Sequence, residues 1–214
     1  MDRERPHCLI LIDLRESTRL EPPQATRVMG RLEAALEEMN EDLGAVLAVP
    51  LTISYGDEVA GLLTSPVDLY DIASRVRDAA HPDARIRFVV ARGMVGVPGA
   101  DIRKVGGAVF KAASEAMQTV KAGRMFAAWQ LGDPVLDAAL TSLTGLTNAL
   151  IEGMTAYQRR VFVLLRGGLP QKEIAARLGK LQQSVSDAVR RGSAELVLEG
   201  ERAIRELLVR LAAS

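Results

Sequence analysis

The chain is 214 residues long and 48% hydrophobic, enough to bury a core in one domain or in a larger domain with a small companion, which excludes a disordered chain. Its 27 Lys and Arg cancel its 27 Asp and Glu, so no basic coat is available for nucleic acid and any such contact must come from a local patch. One cysteine, Cys8, excludes an internal disulfide, no run reaches the roughly 20 apolar residues of a membrane span, and the opening MDRERPHC lacks an apolar signal stretch. The chain therefore reads as cytoplasmic, with no membrane partner.

Residues 8 to 13 are an aliphatic run bounded by Pro6, the pattern of a strand buried on both faces. From Pro23, Val28, Leu32, Leu36, Met39 and Leu43 recur at helical spacing up to Gly44. Val46 to Ser54 and Glu58 to Leu63 read as two strands joined at Gly56-Asp57, a hairpin turn. A helix is predicted from Pro66 to about Ala80, a strand over 85–95, and then a Gly- and Pro-bearing loop. This order, β-α-β-β-α-β, is that of a ferredoxin-like sheet. A glycine-started helix over 105–123 and a short strand over 124–129 follow. Asp133 then suits an N-cap and Pro134 a first helical position, and everything beyond reads as helix. The fold class expected is α+β, a sheet domain over 1–132, a connecting helix over 133–154 and an all-α helix-turn-helix domain over 155–214.

The aliphatic strand ends on Asp13, and the hairpin carries Asp57. A right-handed crossover would make the first two strands parallel, so the two acids should face each other across neighbouring strands. Facing carboxylates repel unless a cation neutralises them, and oxygen ligands favour Mg2+ or Mn2+ with phosphate oxygens completing the shell. Asp13 and Asp57 are thus the candidate metal ligands, and removing either is expected to leave stability unchanged or raise it. Ser17 and Thr18, after Asp13, supply hydroxyl and N–H donors for phosphates. Asp57 taken alone also suits an ordinary turn.

The stretch IDLRESTRL resembles the first metal motif of class III nucleotide cyclases, YGDEVAGLL their second, and GGAVFKAASEA the glycine-led helix after their fourth strand. Over nearly the whole chain the resemblance is to the SatD family, which joins a hairpin of this GDE type to a C-terminal helix-turn-helix. The resemblance implies a nucleotide ligand, with Leu14, Ser17, Thr18, Gly56 and Lys111 near its phosphates. Lys104, Lys111 and Arg103 are phosphate contacts or, equally, a solvated basic edge. Where catalytic cyclases carry an Asn and an Arg, this helix has Phe110 and Ser114, and the base-reading Lys position holds Ile53. Charge developing on the α-phosphate would lose its electrostatic stabilisation to these apolar or neutral replacements, so ordinary cyclase activity is not expected.

Gln171 to Val189 has the spacing of a helix-turn-helix: Ile174 and Leu178 inward, small Ala175, Gly179 at the turn and Val185 as anchor, with Val161, Phe162 and Leu165 of the preceding helix in the same core. It resembles the DNA-binding domains of LuxR-type regulators and the last region of sigma factors. The second helix would present Gln182, Gln183, Ser184 and Ser186 to base edges, while Lys172, Lys180, Arg190 and Arg191 meet phosphates. From Thr141 onward eleven Lys or Arg stand against seven Asp or Glu, so this segment is locally basic. A trihelical protein-docking module is the alternative, and Asp187 favours it. In the last helix Leu196, Val197, Ile204, Leu207, Leu208 and Leu211 form a stripe that a second copy would cover, making a homodimer, or that the chain's own sheet domain would cover. The leading expectation is a DNA-binding regulator whose degenerate cyclase-like domain senses a metal-bound nucleotide. The alternative is a metal-dependent enzyme acting on nucleoside triphosphates.

Overall fold

The computed structural model describes residues 6–96 and 101–213, the side chains of Tyr55 and Lys104 excepted. Residues 97–100 of the Gly- and Pro-bearing loop thus lie outside the described residues. The protein has two compact units. One runs to Thr141 and includes the segment from Leu207 onward; the other is Ser142–Glu206. The first division falls inside the expected connecting helix.

The first unit is mixed α and β. Its elements are β1 (His7–Arg15), α1 (Pro22–Leu43), β2 (Leu47–Tyr55), β3 (Glu58–Leu63), α2 (Leu69–Ala80), β4 (Arg85–Gly93), α3 (Ala108–Ala122) and β5 (Ala127–Gln130). The uninterrupted aliphatics of β1 are buried from His7 to Asp13 and beyond to Leu14 because helices cover both faces of the sheet. A reciprocal capping box between Glu21 and Gln24, with prolines at the first turn, starts α1, and Val28, Leu32, Leu36 and Met39 form its buried stripe.

The strand order is β2-β3-β1-β4-β5. All neighbours are antiparallel except β4 and β5. The first four strands have the ferredoxin-like order, which corrects one expectation: β1 and β2 share a direction, but β3 lies between them. Alternation along the strands separates the two faces. Leu9 and Leu11, Ala60 and Leu62, and Val89 and Ala91 pack in one cluster with Val109, Ala113, Met117 and Val120 of α3. The intervening Ile10, Ile12, Phe88 and Val90 are equally buried on the other side, where α2 packs on β4 and β1 and α1 packs on α2.

In the second unit, α5 (Ala156–Arg166) is followed by α6 (Gln171–Leu178) and α7 (Gln182–Arg191). The end of α4 (Pro134–Glu152) and most of α8 (Ala194–Ala212) also belong to it. Thr155 and Gln158 form a capping box at the start of α5. Ile151, Val161, Phe162, Ile174, Ala175, Val185, Ala188, Val189 and Val197 make its core, with Leu165 and Leu178 packed against it. Gly179 ends α6 at φ +60°, the left-handed geometry that costs a side-chain-bearing residue most, and redirects the chain into α7. Along α8, Val197, Ile204 and Leu208 are fully buried while Leu196 is 58% exposed. Leu207 and Leu211 are half-buried, so about half of the stripe is covered within the chain.

Candidate functional site

Asp13 lies one alternation beyond Leu9 and Leu11, so it faces the α3 side of the sheet near the end of β1. Register sets Glu58 of β3 opposite it on one side and Arg87 of β4 on the other. Its carboxylate is doubly occupied. Oδ2 accepts Nε–H of Arg87 at 2.7 Å and Oδ1 accepts from Nζ of Lys121, on α3, at 2.6 Å. The Asp13 side chain is only 9% exposed, those of Arg87 and Lys121 20% and 36%, so the pairing lies in a poorly solvated setting where charge-assisted contacts are strong.

The β2–β3 turn brings the second acid to the same place. Gly56 adopts φ +62°, and the backbone carbonyl of Asp57 accepts the Leu14 N–H at 3.4 Å. The Asp57 carboxylate accepts the hydroxyl hydrogen bond of Ser17. A third carboxyl, Glu58, interacts with both. Burial pushes it above its ordinary range; the Ser54 hydroxyl and the charge of Lys121 oppose that, and Asp13 and Asp57 add to it. Ser54 Oγ donates to Glu58 Oε1 at 3.1 Å.

These residues do not fit a divalent cation in the arrangement found. Both oxygens of Asp13 already hold cationic groups of the chain, Asp57 holds a hydroxyl, and no group of three His, Cys, Asp or Glu capable of holding a metal occurs among the described residues. Neutralisation of the carboxylate, which was expected to require a metal, comes from Arg87 and Lys121.

Of the residues expected near phosphates, Leu14, Ser17 and Gly56 come to this end of the sheet. Leu14 is buried, Ser17 half-buried, and Thr18 exposed on a short 3-10 turn. Lys111 does not. It lies ten residues before Lys121 on α3, roughly 15 Å along the axis at 1.5 Å per residue, exposed and beside Glu115 at 3.9 Å. Arg103 pairs with Asp101 at 2.9 Å, and the Lys104 side chain lies outside the described residues. Phe110 packs against the α3-side core, and Ser114 is exposed.

Arg87, Lys121 and Glu58 escaped the sequence reading, although two signals were present. Lys121 continues the buried stripe Ala113, Met117, Val120 of α3 at helical spacing, and Arg87 continues Val89 and Ala91 at period two on β4. A charge on an inward stripe calls for a partner.

In the second unit, α7 turns Val185, Ala188 and Val189 into the core. Gln182, Gln183, Ser186, Arg190 and Arg191 are exposed, as are Lys172 and Lys180, and Ser184 is half-buried. Arg190 donates to Asp187 at 2.9 Å, and that hydrogen bond holds the Asp187 carboxyl below its ordinary range.

No family model matches the chain, and no curated protein resembles it in sequence. Among solved structures, it is similar to the guanylate cyclase domain of RhGC from Catenaria anguillulae in complex with GTP, at 17% identity over 54% of this chain and 73% of that one, TM-score 0.40. It is also similar to the monomeric guanylyl cyclase domain of the RhoGC fusion protein from Blastocladiella emersonii, at 17% identity over 54% and 75%, TM-score 0.38. A bacterial light-regulated adenylyl cyclase gives 14% identity and a TM-score of 0.43. There the match covers 58% of this chain but 43% of the other. At these identities and scores no ligand or activity transfers to this chain.

Proposed function

We propose that the protein is a DNA-binding regulator: α6 and α7 act as a helix-turn-helix on duplex DNA, and the sheet unit senses a nucleotide. The observation that carries this is the division of α7 into two faces. Val185, Ala188 and Val189 anchor it in the core, and Gln182, Gln183 and Ser186 stand exposed along its first turns with Lys180 before them and Arg190 and Arg191 after. A helix held in this way presents its N-terminal residues to base edges of the major groove while flanking cations meet phosphates. Glutamine pairs bidentately with adenine, which gives such a face sequence preference.

The sensing role rests on the Asp13 end of the sheet, where the Ser17 hydroxyl and two cationic side chains stand beside the β2–β3 turn. This follows the resemblance of the residues around Asp13 and Asp57 to class III cyclases and of the whole chain to the SatD family. A homodimer would read two half-sites. Phe110, packed against the core, and exposed Ser114 bring no positive charge to a reacting phosphate, which weighs against an enzyme.

Fluorescence anisotropy of the full chain with random and selected duplexes, over a salt series and with or without ATP or GTP, tests the proposal. Affinity should fall linearly in log–log form with salt and shift on adding nucleotide. No salt-dependent DNA affinity at low ionic strength, with or without nucleotide, would make α5–α7 a protein-docking module.

A further inference from the structure

We infer that Lys121 and Arg87 stand at Asp13 where a divalent cation would, so that the sheet unit takes the phosphates of its nucleotide directly on these two side chains, without a metal. This rests on the reading of the sheet unit as a nucleotide sensor.

Two features support it. First, each oxygen of Asp13 already holds a cationic group, Lys121 at 2.6 Å and Arg87 at 2.7 Å. An ion entering beside them would bring a second positive charge against an ammonium and a guanidinium in a poorly solvated site. Second, the two cations keep donors to spare. A lysine has three N–H groups and an arginine five, and each spends one on Asp13. Neither makes a further hydrogen bond among the described residues, and Lys121 also acts on Glu58 through its charge. The Lys121 side chain, 36% exposed, opens to solvent. The spare donors of a side chain fixed by a buried carboxylate are pre-oriented, and phosphate oxygens are their natural acceptors.

The experiment is isothermal titration of the full chain with ATP and with GTP, once in EDTA and once in magnesium or manganese, on wild type, Lys121→Met, Lys121→Arg and Arg87→Met. Manganese electron paramagnetic resonance of the nucleotide-free protein runs in parallel. The inference expects nucleotide affinity in EDTA at least as high as in metal, a loss of about tenfold or more in Lys121→Met and Arg87→Met with partial retention in Lys121→Arg, and no manganese bound to wild type. Nucleotide binding that requires magnesium or manganese would overturn the inference and leave the sensor reading standing, as would tight manganese binding abolished by Asp13→Asn. No binding of either nucleotide under either condition would overturn both. Circular dichroism checks that each variant is folded. Should Lys121→Met not fold, the EDTA comparison and the manganese spectrum on wild type decide the matter alone.

Discussion

The side chain of Asn40 replaces a neighbouring strand for Leu51: its Nδ2 donates to the Leu51 carbonyl at 2.9 Å and its Oδ1 accepts the Leu51 N–H at 2.8 Å. Leu51 lies on β2, at one end of the sheet, where pairing with β3 shifts register between Val49 and Thr52. It is 2% exposed, so without Asn40 both of its backbone groups would be buried and unpaired. Because β2 leads directly into the turn that carries Asp57, this contact holds one arm of the candidate site. Asn40→Ala should therefore lower the stability of the sheet unit by about 2 kcal/mol, one unsatisfied buried donor or acceptor costing roughly 1 to 3 kcal/mol. Urea denaturation measures this, and a loss below about 0.5 kcal/mol would mean that water reaches Leu51 in its place.

Asp13→Asn should destabilise the protein, the reverse of what two repelling carboxylates would imply. Asp13 answers Arg87 and Lys121, and an amide removes the carboxylate that both cations pair with. The expected cost is about 2 kcal/mol, less than the roughly 3 to 5 kcal/mol for breaking a fully buried pair, because Lys121 and Arg87 keep some solvent. Asp57→Asn should cost less, since its amide oxygen still accepts the Ser17 hydroxyl. Equal denaturant midpoints for wild type and Asp13→Asn would contradict this account of the pairing.

Glu58 links stability to pH. Its carboxyl is pushed above the ordinary value of 4.5, chiefly by burial, so the folded state favours its protonated form. That contribution is fully present below pH 4.5 and is lost as pH rises through the raised value. Glu58→Gln keeps an acceptor for Ser54 and removes the titration. Denaturant midpoints measured from pH 4.5 upward should decline for wild type relative to Glu58→Gln over that window, and parallel curves would show that Glu58 does not titrate abnormally.

On α7, phosphate and base contacts should separate. Lys180→Ala or Arg191→Ala should weaken binding to all duplexes alike and reduce the salt slope by roughly 0.9 per lost contact. Gln182→Ala or Gln183→Ala should relax preference at particular base pairs, by about 1 to 3 kcal/mol where the contact is bidentate. Asp187→Asn should strengthen DNA binding severalfold at low salt, because it removes a negative charge from the face and releases Arg190 from its 2.9 Å pair. Anisotropy on a duplex panel reads all three, and weaker binding by Asp187→Asn would show that the Arg190–Asp187 pair itself shapes the contact surface.

What the sequence determined by itself was local. The apolar run of β4, helical spacing in α1, the Gly56-Asp57 turn, the Asp133-Pro134 helix start and the Gly179 turn each depend on residues within a few positions of one another, where steric and hydrogen-bonding preferences act directly. Asp13 at the end of a buried strand was legible for the same reason. Which strand lies beside it, and what its carboxylate meets, were decided only by the tertiary structure. Arg87 is 74 positions away in the chain, and it reaches Asp13 because β4 pairs antiparallel to β1 in one particular register. Lys121 reaches it because α3 packs on the face of the sheet that carries Leu9 and Leu11. A slip of one residue along β4 would turn Arg87 to the opposite face. That register is selected by the burial of the whole sheet, Val89 and Ala91 on one side and Phe88 and Val90 on the other, so the partner of Asp13 is settled by many distant apolar contacts acting together and by no motif around Asp13 itself.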